Sequence, residues 1–188
     1  MGYGNLRWSL YTLPNGTRVY LTQRPDRADA DSVTAFLEDK VPIVRFCFCD
    51  DYVEPPKEEY NSTPWHWLPW VPGKNIPIEN VFAFISMMSR YIKEERPIWL
   101  HCDSSSMRAP TYFGLFLQAV YPNEVVDICD KMVVSDNSEY EYAKYSCALA
   151  YSDVSLKQDP GIRELIDAWK SGGEKQAYDF YMGYNCKI

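Results

Sequence analysis

Cys102 and Arg108 stand five residues apart in the stretch PIWLHCDSSSMRAPT, residues 97–111. A thiol at the start of a loop that leads into a helix lies in the positive field of the helix N-terminus, which favours a nucleophilic thiolate near neutral pH. Arg108 adds a guanidinium, the side chain that can present two parallel donors to two phosphate oxygens. Between them Asp103, Ser104, Ser105, Ser106 and Met107 can turn their backbone N–H groups inward around a dianion. His101 precedes the thiol and is expected to orient the loop through its imidazole. The chemistry on offer is attack by sulfur on a bound phosphoryl group. Cys-x5-Arg alone is a weak signal, and its flanks carry the weight.

Those flanks must place the two groups. Ile98, Trp99 and Leu100 make a short buried strand before the loop, and the apolar run Tyr112 to Val120 makes a helix after it. Earlier in the chain, two apolar runs around Pro14-Asn15-Gly16 predict a strand hairpin. Asp29 or Asp31 can cap a helix carrying Val33, Phe36 and Leu37. PIVRFCFC, residues 42–49, reads as a buried strand. Residues 50–64 read as a polar surface loop, and WHWLPWVPGKNIP, from Trp65, as a rigid loop beside the site. Val81, Ile85, Met88 and Ile92 recur at helical spacing between Pro77 and Glu95. Helices are expected near 138–151, 160–171 and 174–184. The order predicts an α/β fold, a central mostly parallel sheet with helices on both faces and a C-terminal helical extension, binding phosphate at the carboxyl ends of the strands.

Composition narrows the partners. The 188 residues are 46% hydrophobic and 15% aromatic, enough for a sizeable core, and carry a formal net charge of -7. That balance disfavours nucleic acid, which needs basic patches. No run of 18 apolar residues and no basic-then-apolar N-terminus is present, so neither a membrane span nor a secretory signal is expected and the protein reads as cytoplasmic. Six Cys are scattered, Cys47-x-Cys49 is shorter than a CxxC pair, and there are only two His. Structural zinc is not expected, nor is any cofactor.

The stretch resembles the phosphate-binding loop of cysteine-dependent protein phosphatases. IVRFC (43–47), WLPWVPG (67–73) and HCDSSSMRAPT (101–111) resemble, in order and approximate spacing, the phosphatase of regenerating liver group within the dual-specificity tyrosine phosphatases. The likeness covers about residues 17–121, an α/β core of residues 1–121; residues 122–188 would complete or extend the same domain. It implies a phosphocysteine mechanism on a phosphorylated protein or small phosphate ester. It also implies a regulatory partner thiol at the end of the strand 42–49, where Cys47 stands with Cys49 adjacent, and hence a reversible Cys47–Cys102 disulfide for redox control; the alternative is that Cys47 and Cys49 are simply buried strand residues.

The departures are specific. The resemblance calls for an Asp general acid about thirty residues before the Cys, and the segment from Leu68 to Lys74 holds no carboxylate. Loss of a positioned acid lowers rates by about 10² to 10⁴. Ser105 and Met107 stand where the family's loop has Gly. Asp103 is one replacement acid, since the loop also resembles that of the cell-cycle phosphatases of rhodanese fold; Glu79, Asp50, Asp51 and His66 are others. Two classes of function stay open: a slow phosphatase, or a phosphate-loop binding module for an acidic or phosphorylated partner segment. Trp65, Trp67 and Trp70 suit either.

Overall fold

The computed structural model describes residues 3–38, 40, 43–51, 64–104, 107–135, 144, 146–148, 150 and 160–186. Strands β1 (Trp8–Thr12) and β2 (Arg18–Thr22) pair antiparallel, Thr12 opposite Arg18. The turn between them works as its residues require: Gly16 takes φ +88°, and Asn15 Oδ1 accepts from Thr17 N at 3.1 Å. Helix α1 (Ala30–Leu37) is capped by Asp29, which accepts from Ser32 N at 2.8 Å.

Strand β3 (Val44–Cys47) is shorter than the sequence suggested, and β5 (Ile98–His101) lies beside it in parallel, Val44 opposite Ile98 and Cys47 opposite His101. On its other side β5 pairs in parallel with β2, Thr22 opposite His101. One expectation is corrected here. Trp65–Trp67 forms β4, an edge strand parallel to β3, where the Trp and Pro content reads as a loop. Pro64 and Pro69 flank it without interrupting a ladder bond, a position that an edge strand tolerates. With β6 (Val133–Val134) antiparallel to β1, the six-stranded order is β4-β3-β5-β2-β1-β6.

Period-two alternation gives each strand two faces. Tyr20 and Trp99 pack with Val33, Phe36 and Leu37 of α1 on one side of the sheet. Val19, Leu21, Val44, Phe46, Ile98 and Leu100 pack on the other with α2 (Ile78–Lys93), α3 (Arg108–Val120) and α4 (Glu124–Lys131). Helix α5 (Pro160–Asn185) joins this second layer through Ile162, Leu165, Ile166 and Trp169. It breaks at Gly172 and Gly173, the latter at φ +70°, between the two helical stretches that the sequence separates. Most of the helix expected near 138–151, and the loop 52–63, lie outside the described residues. Among the described residues no helix is long and apolar enough to cross a membrane.

The parallel strands have one consequence for chemistry. β2, β5, β3 and β4 all end at the same edge of the sheet, so the segments after Thr22, His101, Cys47 and Trp67 converge there.

Candidate active site

Cys102 follows β5 directly and Arg108 opens α3; both are buried, at 2% and 6% exposure. Arg108 Nη1 donates to Asp50 Oδ1 at 2.6 Å and to the Trp70 carbonyl at 3.1 Å. These bonds use a single nitrogen of the fork. Burial lowers the Arg108 pKa, but the bond to Asp50 and the charge of a Cys102 thiolate outweigh it, so sulfur and guanidinium lie within electrostatic reach of one another. Met107 sits just before the helix at φ −131°, ψ −66°, its side chain exposed and its carbonyl accepting from Thr111 N at 2.8 Å. Asp103 and Ser104 continue the loop after the Cys; Ser105 and Ser106, expected to bind phosphate through their amides, lie outside the described residues.

The carboxylates around the loop are held by guanidiniums. Asp103 pairs with Arg27 at 2.8 Å and with Arg24 at 3.7 Å, while its carbonyl accepts from Arg24 N at 3.2 Å. Arg24 meanwhile grips Asp26 with Nε and Nη2 at 2.8 and 3.0 Å and reaches Asp51 with Nη1 at 3.1 Å. The bond from Arg108 holds the Asp50 carboxyl below its usual range, so it is ionised at neutral pH and has no proton to give. Glu79 lies in the first turn of α2, where a negative charge suits the helix dipole. His66 sits against Phe46 with its Nε2 2.8 Å from the Tyr91 hydroxyl, and burial lowers its pKa. It is packed among aromatics on β4.

The tryptophans fix the neighbouring segment. Trp70 is buried and its Nε1 donates to the Lys74 carbonyl at 2.6 Å, closing the turn whose own carbonyl receives Arg108. Trp67 Nε1 donates to the Cys49 carbonyl at 2.6 Å with half of the residue exposed. Trp65 lies under the Arg45 guanidinium at 4.7 Å.

Cys47, Cys49 and His101 are all buried, and no disulfide forms. Burial, then a bond shared with Cys49, pushes the Cys47 thiol up, whereas that bond and the charges of Arg108 and Arg24 pull Cys49 down. Burial, with Arg45 and Arg24 nearby, keeps the His101 imidazole neutral. Sequence reasoning missed Arg24, Arg27, Cys49 and the Trp70 carbonyl as parts of this corner. Part of a usable signal existed: in a parallel sheet the residues just past the strands meet, and Arg24 and Cys49 lie at the ends of predicted strands, whereas Trp70 follows β4, which the sequence reads as a loop.

No protein-family model and no curated protein matches the chain. Solved structures do match. The kinase associated phosphatase, with its catalytic-site cysteine replaced by serine, superposes at a TM-score of 0.52 and 12% identity over 75% of this chain and 92% of that one. Tk-PTP in its active form gives 0.50 and 12% over 86% and 97%. The core catalytic domain of the PP-IP phosphatase SIW14 from S. cerevisiae, in complex with citrate, gives 0.50 and 14% over 88% and 87%. The chain shares the fold of these structures, a mixed six-stranded sheet flanked by helices.

Proposed function

We propose that the protein is a cysteine-dependent phosphatase of the tyrosine or dual-specificity type whose turnover depends strongly on the leaving group. The observation that carries this reading is Arg108: buried at the first turn of α3, held by Asp50 and the Trp70 carbonyl, and within the field of Cys102. The Cys102 thiolate attacks phosphorus, the P–O ester bond breaks, and the phosphoryl group rests on sulfur until water displaces it as inorganic phosphate. Arg108 and the loop amides take the charge that builds on the equatorial oxygens. The departing oxygen needs a proton, and Asp50, Asp51 and Asp103 are each bound to an arginine. A phenolate leaves with little help and an alkoxide does not. The exposed side chains of Trp67, Val71 and Met107 give the neighbouring surface an apolar character that suits an aromatic ring.

An aryl phosphate with a good leaving group is therefore expected to turn over about 10² to 10⁴ times faster than an alkyl phosphate, the range that a positioned acid ordinarily supplies. Comparable rates for the two esters, measured by phosphate release, would mean that an acid is in place after all. The same engagement of the carboxylates favours a second reading, a module that binds an acidic or phosphorylated segment without cleaving it. A wild-type protein inert on both esters that still binds a phosphotyrosine peptide would decide for that module.

Asp50 is a positioning residue that acts through Arg108. Asp50→Asn is expected to lower kcat/KM about tenfold, as loss of a supporting partner commonly does. The sign with pH follows from the lowered carboxyl. The ion pair is in place above about pH 4, the ordinary carboxylate value, and is lost as pH falls through the lower folded value. The wild-type advantage should shrink only toward that acid limit; a gap that widens below pH 5 would remove Asp50 from this role.

A further inference from the structure

The sequence offers no paired metal spacing, since Cys47-x-Cys49 is shorter than a CxxC site. The sheet changes that. Residues two apart on a strand direction share a face, so Cys49 follows Cys47 on the same side, and the parallel register sets Cys47 directly beside His101 of β5. The Phe48 N–H donates to the His101 carbonyl at 3.0 Å and holds the strand extension carrying Cys49 against β5. The two sulfurs and an imidazole nitrogen lie within 4.8 Å of one another, all three residues buried.

We propose that Cys47, Cys49 and His101 form a site for a soft monovalent ion, Cu(I), beneath the phosphate loop. Three donors around one ion at bonds of about 2.3 Å stand about 4 Å apart, so a contraction of less than about 1 Å closes the set. The donor chemistry selects the ion. Two thiolates and a neutral imidazole are soft ligands, and among the described residues no Asp or Glu belongs to the group. Zinc takes four ligands in a closed site, and this group ends at three. On binding, Cu(I) replaces the thiol protons of Cys47 and Cys49, which pass to solvent, and no electron moves. The two thiolates and the ion carry one net negative charge. Arg45 acts on Cys47 and His101, and Arg108 and Arg24 act on Cys49, where Asp103 opposes them. The site does not depend on the phosphatase reading, because Cys102 is not a ligand.

The test is an anaerobic competition in which the reduced full-length chain withdraws copper from the Cu(I)–bicinchoninate complex. Wild type should take one equivalent, develop a thiolate-to-copper band in the near ultraviolet, and give an absorption-edge spectrum fitted by two sulfurs and one nitrogen. Cys47→Ser and Cys49→Ser should each lower the affinity at least tenfold, while Cys102→Ser leaves it unchanged. Failure of the wild type to withdraw copper overturns the site. So does a loss in Cys102→Ser as large as in Cys49→Ser, which would put the metal on the loop thiol. Should a serine variant not fold, the wild-type spectrum decides: a sulfur-only or four-ligand shell rules the three-donor site out.

Discussion

Cys102→Ser is expected to reduce hydrolysis of an activated aryl phosphate by at least about 10³-fold, the scale on which removal of a covalent nucleophile acts. The reason lies in proton affinity. A thiol at the carboxyl end of β5, just before the N-terminus of α3 and within electrostatic reach of Arg108, is expected to react as the anion. A serine hydroxyl in that place would need a base to take its proton. His101, the neighbouring imidazole, is wholly buried on β5 with its sheet partners, and the nearby carboxylates of Asp50 and Asp103 sit on arginines. The variant should therefore still bind phosphate or vanadate while losing turnover. Rapid acid quench followed by intact-mass measurement provides the second readout: a phosphoryl adduct in the wild type, absent from Cys102→Ser. Activity that survives the substitution, or an adduct on another residue, would move the nucleophile away from Cys102 and end the mechanism proposed above.

What the sequence made legible was what neighbouring residues decide among themselves. The Asn15-Gly16 turn needs a positive φ and a short side-chain acceptor, Asp29 needs only Ser32 three residues on, and the interval between 171 and 174 needs only two glycines; all three are local, and all three can be read from the string. The strand before Cys102 and the helix opening at Arg108 are local in the same way. The rest depended on partners remote in the chain. β4 carries no period of its own in WHW and becomes a strand because Pro64 and Leu68 bond to Arg45 and Cys47 of β3. The cage of Arg24, Arg27, Asp50, Asp51 and Asp103 exists only once the parallel strands bring their ends together. Gly114 reads as one more small residue in an apolar helix. A Cβ there would clash with the Cys147 carbonyl oxygen, so it marks where α3 meets Cys147. Neither relation is written in residue spacing.

Phe84→Ala is expected to destabilise the protein by about 3–5 kcal/mol, the usual range for a buried phenylalanine, out of a total near 5–15 kcal/mol. Phe84 lies on the inner face of α2 with no exposed surface. Its ring meets Phe46 and Phe48 edge-on, at centroid distances of 5.2 and 5.3 Å, and Tyr112 and Phe116 at 5.5 and 6.4 Å. The first pair belongs to β3 and its extension, the second to α3, and Phe48 stacks on Tyr112 at 4.3 Å between them. One side chain thus packs at once against the segment carrying Cys47, Cys49 and Asp50 and the helix that begins with Arg108. Its truncation leaves a void between stiff aromatic rings that have few ways to close over it, which favours the upper part of that range. At about 2–4 °C per kcal/mol for a chain of this size, the melting midpoint should fall by roughly 6–20 °C. The slack should also reach the site: because Asp50 and Arg108 sit on the two elements that Phe84 wedges, phosphate affinity measured well below the variant's midpoint should weaken too. A drop under about 1 kcal/mol with unchanged phosphate affinity would mean that α2 does not set the distance between β3 and α3, and that the Asp50–Arg108 pair is positioned by the loops alone.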